Sequence, residues 1–247
     1  MSTIQTENLT KTYGSGAAAV IALDHVNLHV NEGEFVAVMG PSGCGKSTLL
    51  HLLGGLDNPS EGFVVIGGHN LTDMPDDKLT ELRRRKIGFV FQFYNLIPVL
   101  SAVENAALPV TLDGMKLSDA RQKAAEWLTR FGMADRLQNR PDQLSGGQQQ
   151  RVAVARALIS EPELILADEP TGNLDTRSGD EIAGLLRDVS QKYGRTIVMV
   201  THDPRIAAYA DRIVFLRDGQ VVDETVLEQK NGKNAAIVAD KMREMGD

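Results

Sequence analysis

Apolar and polar positions change their period several times along the chain, and each change marks an element. In "HVNLHVN", Val26, Leu28 and Val30 alternate with polar neighbours, as in a half-buried strand, and the first thirty residues as a whole predict antiparallel strands. "EFVAVMG" is instead a short unbroken apolar run, expected of a parallel strand covered on both faces, and it leads directly into "PSGCGKSTLLHLLGGL". The order there is strand, glycine loop, helix. "DDKLTELRRRK" (76–86) predicts a helix and "IGFVFQ" a strand that closes on a polar residue. From Ser101 to about Arg136 the period is helical, with Ser118 as the expected N-cap and Leu117, Ala124, Trp127, Leu128 and Phe131 as an apolar stripe. Two more buried-strand runs, "ELILADEP" and "RTIVMVTHD", flank a helix at about 176–193, and "RIVFLRDGQVVDE" predicts a hairpin turning at Asp218 and Gly219.

Together these elements predict an α/β fold with a parallel core sheet, an N-terminal antiparallel β layer and an inserted helical lobe. The expected organisation is a single domain over 1–247, with a helical subdomain at about 95–160 and a helical tail at about 226–247. In the tail, Val238, Met242 and Met245 recur at helical spacing, which suits either packing on the chain's own domain or contact with a partner. Internal repeats are absent, and the only low-complexity block is the small "GSGAAA" loop at 14–19.

Composition narrows the class. The 247 residues, 42% of them hydrophobic, are enough for a sizeable core. A formal net charge of −7 argues against a broad nucleic-acid footprint. No apolar run approaches the ~18 residues of a spanning helix, and the polar opening "MSTIQTENLTKT" lacks the order of a secretory signal. A single cysteine excludes an internal disulfide and fits a reducing compartment, so the expectation is a cytosolic chain.

"GPSGCGKST", Gly40 to Thr48, matches the phosphate-binding P-loop, with a strand before it and a helix after. Glycines such as Gly40, Gly43 and Gly45, beside Ser42, let backbone NH groups fold around phosphate oxygens. Lys46 reaches the β and γ groups, and the Ser47 hydroxyl suits a magnesium ion. "LILADEP" closes an apolar strand with Asp168, the natural second metal contact, and Glu169, placed to take a proton from an attacking water. Cys44 lies in the loop near a helix N-terminus, which predicts a lowered thiol pKa, inactivation by alkylators and protection by ATP; a small residue that merely fits is the alternative.

"DQLSGGQQQR" (142–151) is a second glycine turn that opens a helix and gathers free NH groups, yet it holds no lysine. With the P-loop, Gln92, "LADEP", "GNLD" and His202 in this order, it resembles the ATPase subunit of an ATP-binding-cassette (ABC) transporter over nearly the whole chain. The resemblance implies ATP and Mg2+ as ligands and a head-to-tail dimer closed on two ATP. Each ATP is then held by Lys46, Ser47 and Thr48 of one chain and by Ser145, Gly147 and Gln148 of the other. It further implies that Tyr13 stacks on adenine, that Gln92 links magnesium and the attacking water to the transporter interface, that His202 contacts the γ-phosphate, and that Asp175 lies in the loop crossing the dimer. Tyr13 also reads as an ordinary strand-end tyrosine, and Asp175 as a helix cap.

The apolar segment Phe93, Tyr94, Leu96, Ile97, Val99 and Leu100 is where, in this family, a coupling helix of the membrane permease docks; the interior of the helical lobe is the competing reading. "GGLDNPSEG" and "LADEPTGNLD" are similar to the branch serving lipoprotein release, macrolide efflux, antimicrobial-peptide resistance and cell division. That branch implies a permease with few spans and a large extracytoplasmic domain, mechanical transmission, and a peripheral position on the inner face of the cell membrane. The alternatives are a regulatory ATPase of a cell-division-type complex and, less favoured by the short interval between Lys46 and Ser145, a soluble non-transport ABC ATPase. The basic run Arg83 to Lys86 suits a lipid or partner contact or a solvated helix end.

Overall fold

Strands β1 (Ser2–Tyr13) and β2 (Val20–Asn31) pair antiparallel, with Leu9 opposite Val26 and Thr6 opposite Leu28. The computed structural model describes residues 2–228 and 234–244. After the glycine loop comes α1 (Lys46–Leu53), and then β4 (Glu61–Ile66) and β5 (His69–Asn70) complete a four-stranded sheet in the order β2-β1-β4-β5. The sequence pattern predicted the layer but not β4 and β5.

The second sheet contains β3 (Phe35–Met39), β6 (Ile87–Phe91), β7 (Leu164–Asp168), β8 (Thr196–Val200), β9 (Arg212–Arg217) and β10 (Gln220–Val226), in the order β10-β9-β3-β8-β7-β6. All pairings within it are parallel except the terminal hairpin β9–β10. That hairpin turns at Asp218 (φ 49) and Gly219 (φ 79), both left-handed, as a two-residue loop between twisted strands requires.

The unbroken apolar runs follow from burial on both faces. In β3, Phe35, Ala37 and Met39 join one core while Val36 and Val38 join the other, and β7, β8 and β9 divide by the same parity. The core containing Val36 lies against the antiparallel sheet and holds Leu49, Leu50, Leu52 and Leu53 of α1. Burying a leucine is worth about 1.5–3 kcal/mol, so the helix that opens at Lys46 is firmly seated.

The opposite core is covered by α3 (Ala102–Leu112), α4 (Leu117–Arg130), α5 (Gly146–Leu158), α6 (Thr176–Tyr193) and the short α7 (Pro204–Ala207). Tail helix α8 (Ala235–Glu244) places Val238 and Met242 in it, so these two pack on the chain's own core; Met245 lies outside the described residues. Three local expectations are corrected. Helical structure between Ser101 and Arg136 is broken around Gly114 and ends at Arg130. The N-cap of α4 is Lys116, and Ser118 is the second residue of the helix, its hydroxyl on Asp119; the serine that caps α3 is Ser101, in a reciprocal box with Glu104. Leu117 is 48% exposed, so the buried stripe of α4 begins at Ala120.

Candidate active site

Helix α2 (Asp76–Lys86) leads into the amino end of β6, and the parallel strands β3, β6, β7 and β8 run from there to the opposite edge, where the chemistry-bearing residues gather. Register explains the gathering. Phe91 pairs with Asp168, Asp168 with Val200, and Val200 with Val38, so Gly40, Gln92, Glu169 and His202 all emerge at the carboxyl ends of parallel strands.

The loop leaving β3 depends on glycine twice. A Cβ on Gly40 (φ 154) would lie 1.9 Å from the Leu216 carbonyl oxygen, and one on Gly45 (φ 104) would lie 2.2 Å from that of Ala22. Lys46, the first residue of α1, is only 8% exposed, and its Nζ donates to the carbonyls of Gly40 (2.8 Å) and Pro41 (2.7 Å). Among the described residues no carboxylate forms a salt bridge with it. A buried ammonium whose partners are two carbonyls and the more distant Cys44 sulfur (3.8 Å) is an incomplete arrangement that an anion completes. Ala22, Ser42, Gly43, Gly45, Lys46, Ser47, Thr48 and Glu169 enclose an open cleft of about 260 Å³ around this loop.

Ser47 Oγ donates to Asp168 Oδ1 at 3.2 Å. A hydroxyl and a carboxylate beside a phosphate loop suit magnesium, which takes few protein oxygens and keeps water and phosphate oxygens. Among the described residues there is no cluster of three or more His, Cys, Asp or Glu side chains able to cage a metal by themselves.

Glu169 follows β7 with φ 44, a left-handed conformation that costs about 1–3 kcal/mol for a residue other than glycine. Its amide still donates to Val200 O at 3.0 Å while its side chain leaves the strand line and enters the cleft. There Oε1 lies 2.9 Å from Nδ1 of His202.

A family profile described as ABC transporter matches residues 23–172. The chain belongs to the ABC transporter family. It is 50% identical over 228 residues to the ABC transporter ATP-binding protein MJ0796 of Methanocaldococcus jannaschii, covering 91% of this chain and 97% of that one. It is 49% identical to the lipoprotein-releasing system ATP-binding protein LolD of Geobacter metallireducens (90% and 98% covered). It is 47% identical to the macrolide export ATP-binding/permease protein MacB of Hyphomonas neptunium, of which the chain spans 36%. Among solved structures it resembles a dimeric post-hydrolysis state of the MJ0796 cassette bound to ADP and Pi, with a TM-score of 0.84 and 48% identity over 91% of this chain and 99% of that one.

Within this ABC ATPase fold the remaining site residues fall into two groups. Tyr13 ends β1 opposite Val20 and is 42% exposed; Val20 and Ile21 are exposed beside it, and β2 runs on to Ala22 in the cleft wall. Gln92 lies just past β6, outside the strand. Its Nε2 reaches Asn173 Oδ1 (3.4 Å) and its carbonyl accepts from Asn173 Nδ2 (3.1 Å), so it is tied to the "GNLD" segment and not to Ser47 or Asp168.

Ser145, Gly147 and Gln148 do not line the phosphate cleft of their own chain. Ser145 caps α5 in a reciprocal box: its Oγ accepts from the Gln148 amide (3.3 Å) and the Gln148 Oε1 accepts from the Ser145 amide (2.9 Å). Asp175 caps α6, where the Ser178 amide (3.0 Å) and then its hydroxyl (2.8 Å) hold the carboxyl below its ordinary pKa. The two helix starts adjoin, since a Cβ on Gly147 would lie 3.4 Å from Ser178, and one on Gly146 would lie 2.7 Å from the Tyr94 hydroxyl.

Cys44 departs from expectation. It is buried, and burial pushes its thiol above the ordinary value despite Lys46 Nζ 3.8 Å away. The segment after Gln92 divides: Leu96 packs on the core, whereas Phe93 (72% exposed), Ile97 and Val99 face outward. The basic run is spent within the chain, Arg83 on Gly55 O, Arg84 and Arg85 on Asp113, and Lys86 on Glu163.

Sequence reasoning missed Arg156, whose guanidinium donates to the carbonyls of Tyr94 (2.8 Å) and Asn95 (2.5 Å), two consecutive left-handed residues. It also missed Gln150, which donates to Pro170 O at 2.7 Å and fastens α5 beside Glu169. Nothing in the periodicity marks either residue, because each acts through backbone carbonyls that only the fold brings near.

Proposed function

We propose that this chain is the ATP-hydrolysing subunit of an ABC transporter, working as one ABC ATPase domain over 1–247 with a helical subdomain at about 95–160 and a C-terminal tail that carries helix α8 after strand β10. The observation that carries the reading is the shared cleft of Lys46, buried without a carboxylate partner, and Glu169 paired to His202.

Backbone NH groups from Gly40 to Thr48 and the Lys46 ammonium bind the phosphates. Ser47 and Asp168, with Gln92 from the adjoining loop, would hold magnesium, which supplies charge neutralisation at the phosphate oxygens. Glu169, turned into the cleft, takes the proton of the attacking water, and His202 orients that carboxylate and reaches toward the γ-phosphate. Tyr13 stacks on the adenine from the strand edge above Ala22.

Ser145, Gly147, Gln148 and Asp175 complete the cleft of a second copy. Their placement outside their own cleft supports this, as does the dimeric state of the solved relative. ATP then joins the two copies, and loss of the γ-phosphate removes contacts that favour the closed dimer.

Among the described residues no helix is long and apolar enough to cross a membrane, and attachment to the inner face of the cell membrane falls to a permease. Exposed Phe93, Ile97 and Val99, beside an apolar groove walled by Leu56, Phe89, Phe91, Pro109 and Leu112, support docking of the permease there. Similarity to LolD and MacB supports the mechanical branch, with a few-span permease and a large outer domain. The test is to lock Glu169→Gln with ATP in native membranes and identify what purifies with it. A few-span permease with a large outer domain supports the reading, and a soluble or nucleic-acid complex overturns it.

A further inference from the structure

Tyr13 is held from two sides. Its hydroxyl donates to Asp57 Oδ2 at 2.9 Å. Lys11 Nζ stands 5.0 Å from its ring centroid and donates to Asp57 Oδ1 (2.6 Å) and Asn58 O (2.6 Å). The loop that supplies Asp57 is itself pinned to β1, because the Ser60 amide donates to Thr10 O (2.8 Å) and the Thr12 amide to Ser60 Oγ (3.0 Å).

We infer that Asp57 and Lys11 are positioning residues that fix the Tyr13 ring as a one-faced platform for the adenine base. The inference rests on the reading of Tyr13 as the adenine-stacking residue and names what makes it effective. An untethered surface tyrosine samples several rotamers and gives up that freedom when a base stacks on it. Here the para oxygen is anchored and the ammonium occupies one face, which leaves the other for the purine and draws electron density from the ring that must meet it. Burial works against the charge on Asp57, but the bonds from Lys11 and Tyr13 outweigh it and hold the carboxyl below its ordinary pKa, so the anchor is ionised at neutral pH.

The bracket also sets a distance. Asp57 closes the turn after α1, the helix of eight residues that begins at Lys46, so the phosphate loop and the anchor of the base platform sit at opposite ends of one helix about 12 Å long. A nucleoside triphosphate meets both ends, whereas inorganic tripolyphosphate meets only the first. That difference separates positioning of the base from general support of the fold.

The experiment measures the affinities of magnesium-ATP and magnesium-tripolyphosphate for the full chain and for Tyr13→Phe, Asp57→Ala, Lys11→Met and Tyr13→Ala. Tyr13→Phe keeps the ring and removes only the anchor, so it stays informative if Asp57→Ala does not fold. Tyr13→Phe and Asp57→Ala are expected to weaken ATP about three- to tenfold. Tyr13→Ala is expected to weaken it at least about tenfold. Tripolyphosphate affinity should stay within about twofold throughout, since its contacts lie at Lys46. If Tyr13→Ala weakens ATP while Tyr13→Phe and Asp57→Ala do not, the bracket is overturned and the platform stands. If Tyr13→Ala leaves ATP affinity intact, the adenine reading itself fails. Parallel loss of tripolyphosphate affinity would mark the bracket as mere structural support and overturn the inference.

Discussion

Glu169 and His202 are joined by a 2.9 Å contact between Oε1 and Nδ1, across the tops of two adjacent parallel strands. With the proton on Nδ1 the imidazole donates to the carboxylate and presents Nε2 outward, so one side chain fixes the other's orientation. His202→Ala should lower phosphate release by about a hundredfold, within the range for losing one member of a proton-transfer arrangement, while ATP affinity changes only a few-fold. Steady-state phosphate release and equilibrium nucleotide binding, measured on the same preparation, check both halves.

The placement of Ser145 away from its own cleft makes a mixing test possible. Lys46→Ala disables the phosphate loop and Ser145→Arg the opposing helix start, and each variant alone should be inactive. Mixed together with ATP, they form heterodimers that retain one intact composite site, so phosphate release should reappear. If each site were built from one chain, mixing would restore nothing.

Much of this arrangement was legible in the sequence, for identifiable reasons. The runs around Val36, Leu166 and Val198 read as parallel strands because burial on both faces removes alternation, and Lys46, Asp168, Glu169 and His202 lie where such strands end. Strand β4 escaped because "FVVI" between glycine-rich turns has the same period as a short buried helix segment. The N-cap of α4 was misplaced because Ser118 has the right chemistry for a cap but the helix begins one residue earlier, at Leu117. Asp57 and Arg156 were invisible because one partner lies 44 residues away and the other's partners are backbone oxygens.

Cys44 should resist alkylation. Its raised pKa lowers the thiolate fraction at neutral pH, and burial blocks access, so maleimide labelling of the folded chain should be slow at pH 7 and accelerate as the pH rises past the ordinary thiol value. Labelling in denaturant should be fast by comparison. Rapid labelling of the native chain at pH 7 would show that the loop opens far more freely than its packing allows.

Arg156 clamps the left-handed pair Tyr94 and Asn95 through two carbonyls, a geometry that a lysine ammonium cannot reproduce. Arg156→Lys should destabilise the chain by about 1–3 kcal/mol, through unsatisfied carbonyls. At about 2–4 °C per kcal/mol for a chain of this size, Tm should fall by several degrees in a thermal unfolding scan. An unchanged Tm would show that the clamp contributes nothing to stability.

The central claim is that Glu169, turned into the Lys46 cleft, is the base for hydrolysis of ATP held between two copies. Purified Glu169→Gln should be incubated with magnesium-ATP and followed by size-exclusion chromatography, with the retained nucleotide identified. The predicted result is a stable dimer that carries intact ATP, with phosphate release lowered at least about a hundredfold. A monomer at saturating ATP, or release at the rate of the unsubstituted chain, would contradict it.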